Sequence, residues 1–145
     1  QRVDIHEGLD SVLHLIRKEK LKGISIHKRY GDLPKVSCYP ARLNQAFLNL
    51  LTNAAEAIEG PGVITITTSV EDEMVRIDIT DTGRGIEDDR LDRLFDIGFS
   101  SGGRRVKMGA GLSTTYQIIQ EHDGEISVSS TIGRGSMFTI RLPIR

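Results

Sequence analysis

Asn49-Leu50-Leu51-Thr52-Asn53-Ala54-Ala55-Glu56-Ala57, inside the longer run Leu43 to Ile58, decides how this chain is read. At about 100° per residue, Gln45, Asn49, Asn53 and Glu56 fall on one helical stripe roughly 80° wide. Leu43, Phe47, Leu50, Ala54 and Ile58 lie opposite, the pattern of a helix laid on a sheet. A solvated helix face is the plain alternative. Asparagine argues against it, because it is a poor helix-interior residue and Glu, Lys or Gln serve a wet face better. Two carboxamides one turn apart read as oxygens aimed at a ligand, and Mg²⁺ accepts such hard oxygens while keeping part of its water shell.

Outward from that helix, Ile5 to Lys20 carries Leu9, Val12, Leu13 and Ile16 at helical spacing. Ile24 to Tyr30 alternates like a strand, and Val36 to Cys38 is a second short one. Pro40 opens the long helix, and Gly60-Pro61-Gly62 stops it. Val63 to Val70 and Met74 to Thr80, joined by Glu71-Asp72-Glu73, make a hairpin. Asp81 to Gly111 then holds seven glycines and only brief apolar stretches, a long loop with room for one short helix. Long loops within compact domains are usually functional. A helix from about Leu112 to His122, ended by Asp123-Gly124, precedes a second hairpin, Ile126 to Thr131 and Met137 to Leu142. This order predicts a two-layer α/β sandwich: a mixed, mostly antiparallel sheet of about five strands with three main helices on one face.

The 145 residues suit one domain. Nineteen Lys and Arg against 20 Asp and Glu leave no bulk field to favour nucleic acid or an anionic membrane. One cysteine, Cys38, excludes an internal disulfide and fits a reducing compartment. No apolar run approaches the roughly 20 residues that span a bilayer. The chain begins at Gln1 without methionine and is read as a fragment of a longer protein.

The asparagine helix resembles the N box of sensor histidine kinases, in the GHKL superfamily (Bergerat fold) that also holds gyrase and the MutL repair proteins. The resemblance implies that Asn53 is the main Mg²⁺ ligand, with Asn49 a helper beside the phosphates and Glu56 on the same stripe. Hydrolytic members carry a general-base Glu where Asn49 stands. A carboxamide cannot take a proton from water near neutral pH. A neutral imidazole acceptor is already a nucleophile and needs no strong base.

Asp81-Thr82-Gly83-Arg84-Gly85-Ile86 follows a strand and is either an ordinary turn or a base-reading one. A carboxylate there accepts from an exocyclic amine, which favours adenine over guanine. Gly83 and Gly85 let the backbone approach a flat ring. The string is similar to the family's G1 box, Asp-x-Gly-x-Gly. Leu94 to Ser101 resembles the F box, so Phe95 and Phe99 are either satellite core or anchors of a lid at about 96–110. The lid's basic residues, Arg104, Arg105 and Lys107, stand as candidates to neutralise phosphate, with Arg105 and Lys107 foremost. Gly109-Ala110-Gly111-Leu112 leads into a helix and resembles the G2 box, a phosphate cradle. Lys107 replaces its usual first glycine, and Ala110 its common leucine. Gly133-Arg134-Gly135-Ser136 also fits the family, with Ser136 at the nucleotide, although a two-glycine hairpin turn accounts for it equally. The boxes cover roughly Leu43 to Pro143 in order.

No P-loop, Ser/Thr/Tyr kinase signature or zinc spacing occurs. None of His6, His14, His27 and His122 sits in the family's phosphoacceptor pattern. The resemblance therefore implies a domain that binds Mg-ATP and donates the γ-phosphate to a histidine on a separate dimerisation domain of the same homodimeric parent. A response regulator stands downstream, the place is the cytoplasm, and no direct membrane contact is implied. A GHKL-type ATPase would need a base near Asn49 and a following transducer domain. An anti-sigma-type serine kinase or binding regulator would lean on Glu56.

Overall fold

Residues 1–87, 90 and 110–144 are described by the structure, a computed structural model of the chain. The elements run β1 (Arg2–Val3), α1 (Ile5–Leu15), β2 (Ile24–Arg29), β3 (Val36–Ser37), α2 (Pro40–Ala57), β4 (Gly62–Glu71), β5 (Met74–Asp81), α3 (Ala110–Glu121), β6 (Glu125–Thr131) and β7 (Gly135–Pro143). Five strands form one sheet in the order β2-β4-β5-β7-β6. Only β2 and β4 run parallel; the other neighbours are antiparallel. The described residues thus give the mixed α/β sandwich that the sequence pattern predicts.

Period-two alternation puts Ile64, Ile66, Val75, Ile77, Ile79, Ile126, Val128, Phe138, Ile140 and Leu142 on one buried face of the sheet. The apolar stripe of α2 closes over it, with Leu43, Phe47, Leu50, Leu51 and Ala54 buried, and α1 and α3 pack on either side of α2. The opposite face carries polar side chains that pair along and across the strands. Thr139 donates to Asp78 Oδ1 at 2.6 Å, and Arg76 Nε lies 3.1 Å from both Asp78 oxygens.

Several boundaries differ from the periodic reading, each for a local reason. α1 stops at Leu15, and Ile16 is extended at φ −75°, ψ 133°. Arg17-Lys18-Glu19-Lys20 offers no apolar side chain to bury, so packing cannot sustain further turns of helix. The segment instead folds back through Lys20 N–H to Arg17 O and Leu21 N–H to Lys18 O. β3 joins β1, not the main sheet. The β4–β5 link is a two-residue turn, Asp72 and Glu73, both left-handed at φ 52° and 62°. This is the sense that matches strand twist. Asp123 (φ 55°), not Gly124, is the left-handed residue after α3. Gly124 is needed for space, since a Cβ there would stand 2.5 Å from Arg141 O.

Candidate functional site

A cavity of about 410 Å³ opens between the C-terminal half of α2, the end of β5, the start of α3 and the β6–β7 turn. Asp81, the last residue of β5, is part of its lining. Its alternation is that of Val75, Ile77 and Ile79, so a carboxylate sits where the pattern would place another apolar residue, and it is only 4% exposed. Burial pushes the Asp81 carboxyl above its ordinary pKa, against the opposing pull of the Gly83 and Ser136 N–H groups and the Arg84 charge. Both N–H groups bind the same oxygen, Oδ1, at 2.8 and 3.3 Å. Among the described residues, Oδ2 has no hydrogen-bond partner.

The turn after Asp81 is packed against backbone on two sides. A Cβ on Gly83 would lie 2.5 Å from Ala57 O. Gly85 has φ 77°, and a Cβ on it would overlap Thr131 O. Arg84 caps α2: its N–H donates to Ala57 O at 3.0 Å and its guanidinium Nη1 to Glu56 O at 3.1 Å. A cation on a helix's last carbonyls is favoured by the macrodipole. On the other side, Gly133 N–H donates to Arg84 O at 2.9 Å, and Ile86 N–H donates to Ser130 Oγ at 2.8 Å. The turn, the helix end and the β6–β7 hairpin are therefore one hydrogen-bonded unit.

Asn53 lines the same cavity from α2, and its carboxamide has no hydrogen-bond partner among the described residues. Asn49 is more tightly held. Its Oδ1 accepts from Gln45 Nε2 at 2.9 Å, and its Nδ2 donates to Thr115 Oγ1 of α3 at 3.2 Å. Glu56 reaches the cavity edge but also accepts from Lys20 Nζ at 2.9 Å. No cluster of three or more His, Cys, Asp or Glu side chains suited to a metal occurs among the described residues. From α2, Asn53 offers this cavity an amide oxygen that a cation could share with water and ligand oxygens. Mg²⁺ tolerates that donor set.

Of the residues singled out in the sequence, Asn53, Glu56, Asp81, Gly85, Ile86, Leu112 and Ser136 line this cavity. Gly83 lies beneath Asp81, and Asn49 is one turn from Asn53. Gly111 falls in the first turn of α3, where N–H groups lack intrahelical partners. Phe95, Phe99, Arg105, Lys107 and Gly109, with nearly all of the lid, lie outside the described residues. Sequence reasoning missed Lys20, Thr115 and Ser130, which depend on pairings across 36, 66 and 44 residues. It also gave Arg84 no role, although an Arg set between the two glycines was the one available signal.

The sheet, the helix layer and this cavity, lined by a buried carboxylate and a carboxamide, define a nucleotide-binding α/β sandwich. The chain belongs to the family described as histidine kinase-, DNA gyrase B-, and HSP90-like ATPase, which matches residues 38–145. It is similar to the sensor histidine kinase ZraS of Escherichia coli strain K12, 36% identical over 146 residues covering 99% of this chain. The chain spans only 31% of that relative's length. Among solved structures it resembles the mycobacterial sensor histidine kinase MprB, with TM-score 0.81 and 27% identity over 100% of this chain and 99% of that one. It also resembles full-length ShkA solved in complex with AMPPNP, with TM-score 0.80 and 28% identity over 99% of this chain and 31% of that one. Its fold is that of histidine kinase catalytic domains, and the comparisons support ATP as its nucleotide. No helix among the described residues is long and apolar enough to cross a membrane.

Proposed function

We propose that this chain holds Mg-ATP and donates its γ-phosphate to a histidine on a separate dimerisation domain of its parent, a homodimer. One observation carries the reading: a buried carboxylate, Asp81, and a carboxamide, Asn53, line one cavity, and Asp81 Oδ2 and the Asn53 amide have no partner among the described residues. The first suits the exocyclic amine of adenine, and the second a metal on the phosphates. A bound Mg²⁺ would offset charge on the β,γ-bridge. Asn53, with Asn49 beside it, is the residue to hold that ion.

The chain's own groups do the rest. Asp81 and its glycine turn bind and orient the base. The N-terminal turn of α3 offers backbone N–H groups to phosphate oxygens. Asn49, fixed between Gln45 and Thr115, keeps the α2 stripe in place beside α3. Arg105 and Lys107 in the lid at 96–110, anchored by Phe95 and Phe99, are assigned to closing over the phosphates.

Glu56 is the acidic group of the stripe, and Lys20 holds it as an ion pair at the surface. That arrangement disfavours a base for water or serine, and hence the ATPase and serine-kinase alternatives. An imidazole acceptor needs none. The chain's histidines do not serve as that acceptor. His122 is buried with Nδ1 at Ile118 O and Nε2 at Tyr39 N, and His6 stacks on Tyr30. A response regulator would take the phosphate onward, in the cytoplasm, with neither nucleic acid nor membrane as a partner of this domain. Incubation with Mg-ATP and the parent's dimerisation hairpin should give acid-labile phosphohistidine on the hairpin. Acid-stable phosphoserine, or free phosphate alone, would overturn the proposal.

A further inference from the structure

Ser130, on β6 and outside the cavity lining, makes three contacts through one oxygen. Its Oγ receives the Ile86 N–H at 2.8 Å, lies 3.0 Å from Gly135 O and lies 2.8 Å from Ser136 Oγ. A hydroxyl has one proton and two lone pairs, and a carbonyl only accepts. The Ser130 proton therefore belongs to Gly135 O. All three contacts are hydrogen bonds only if Ser136 donates to Ser130, beside the Ile86 N–H. The Ser136 proton is thereby turned away from the cavity that Ser136 lines.

Asp81 and Ser136 then offer the cavity acceptors alone. Ser136 presents lone pairs, and Asp81, whose Oδ1 accepts the Ser136 N–H, presents an Oδ2 with no hydrogen-bond partner among the described residues. Two such acceptors suit an amino group, which carries two protons, and repel a ring carbonyl. We propose that Ser130 is a positioning residue that fixes Ser136 as an acceptor and so makes the base end select a 6-amino over a 6-oxo purine. The proposal rests on the nucleotide reading above, and it assigns to Ser130 a discrimination that Asp81 alone would exert less sharply. Without the Ser130 oxygen, the Ser136 hydroxyl is free to rotate and donate to a 6-oxo group.

ADP and inosine diphosphate differ at this position in the sense required and also at N1, which carries a proton only in the 6-oxo base, so the effect of Ser130 is read from the change in their affinity ratio between variants. Calorimetric titration of both nucleotides into the wild type, Ser130→Ala, Ser130→Val and Ser130→Thr, with melting temperatures as folding controls, gives four ratios. The ADP preference is expected to fall about tenfold in the alanine and valine variants, the scale of one hydrogen bond gained and lost. Threonine, which restores the hydroxyl on a strand that tolerates β-branching, should keep it within about twofold. A ratio unchanged in Ser130→Ala and Ser130→Val overturns the proposal, even if both nucleotides weaken together, because a mere brace would lower both alike. A wild type that binds the two nucleotides equally would instead sink the assignment of the base to Asp81.

Discussion

The two ends of the cavity are built differently. In the proposed reading the base end is the Asp81 side, where Asp81, Gly83, Arg84, Ile86, Ser130, Gly133 and Ser136 are tied into one network spanning β5, α2 and the β6–β7 turn. It leaves open one Asp81 oxygen and, once Ser130 fixes the Ser136 proton, the lone pairs of Ser136. At the other end, Asn53 has no partner among the described residues, and Glu56 is 54% exposed in an ion pair with Lys20. The base end is finished before the ligand arrives, so its geometry selects. On the same reading the Asn53 side is the phosphate end, whose groups would act only once a metal and phosphate oxygens are present. Substitutions at the first should change affinity, and at the second rate.

Asn53→Ala should show the largest effect. Phosphotransfer to the hairpin is expected to fall roughly 10²- to 10³-fold, the scale of losing one group that stabilises developing charge. ADP affinity measured without Mg²⁺ should stay within about twofold, since the base end is untouched. Equal loss in both assays would mean that the two ends are not separable. Asp81→Asn comes next. ADP binding should weaken about 10- to 100-fold, the range of a hydrogen bond to a charged group. The empty domain, by contrast, should melt higher than the wild type at neutral pH.

The sign of that stabilisation follows from the burial of Asp81. Its folded pKa lies above the ordinary 3.8, so the folded state takes up the proton more readily than the unfolded one. Above that window the buried charge costs stability, and lowering pH through it relieves the cost. ADP binding runs the other way. It should weaken as pH falls through the raised pKa, where ordinary aspartates are still ionised, and Asp81→Asn should show neither trend. Thermal melts and titrations across acidic pH check both slopes. Thr115→Val is a smaller step: it removes the hydroxyl that accepts the Asn49 amide and should slow transfer about five- to tenfold. A kinetic assay at saturating Mg-ATP reads it.

The difference between the ends also explains what the sequence made legible. The stripe on α2 is local, repeating every three to four residues, so Asn49, Asn53 and Glu56 could be placed on one face before any tertiary contact was known. Asp81 was legible as the residue that breaks a strand's apolar alternation just before two glycines. Ser130 left no such mark, because a serine in a strand beside Ser129 is ordinary until the Asp81 turn is brought against it. The early end of α1 was hidden for the same reason. Helical periodicity says where a helix is possible, whereas Ile16 turns extended because the charged segment after it has nothing to pack against.

The smallest expected effect bears most directly on mechanism. Lys20 and Glu56 are 42% and 54% exposed, so their 2.9 Å ion pair is screened, and such pairs contribute about 0–1 kcal/mol. If Glu56 is only a surface partner of Lys20, Glu56→Gln and Lys20→Ala should each change phosphotransfer by less than about threefold at physiological salt, and should change melting only slightly. A general base would behave otherwise, because removing one costs about 10²- to 10⁴-fold. Its loss in Glu56→Gln would also flatten the acidic limb of the pH–rate profile. Lys20→Ala would then leave the reaction unslowed or speed it, since freeing the carboxylate leaves it able to accept a proton. The pair of variants thus separates a phosphate end that relies on metal and position alone from one that also moves a proton.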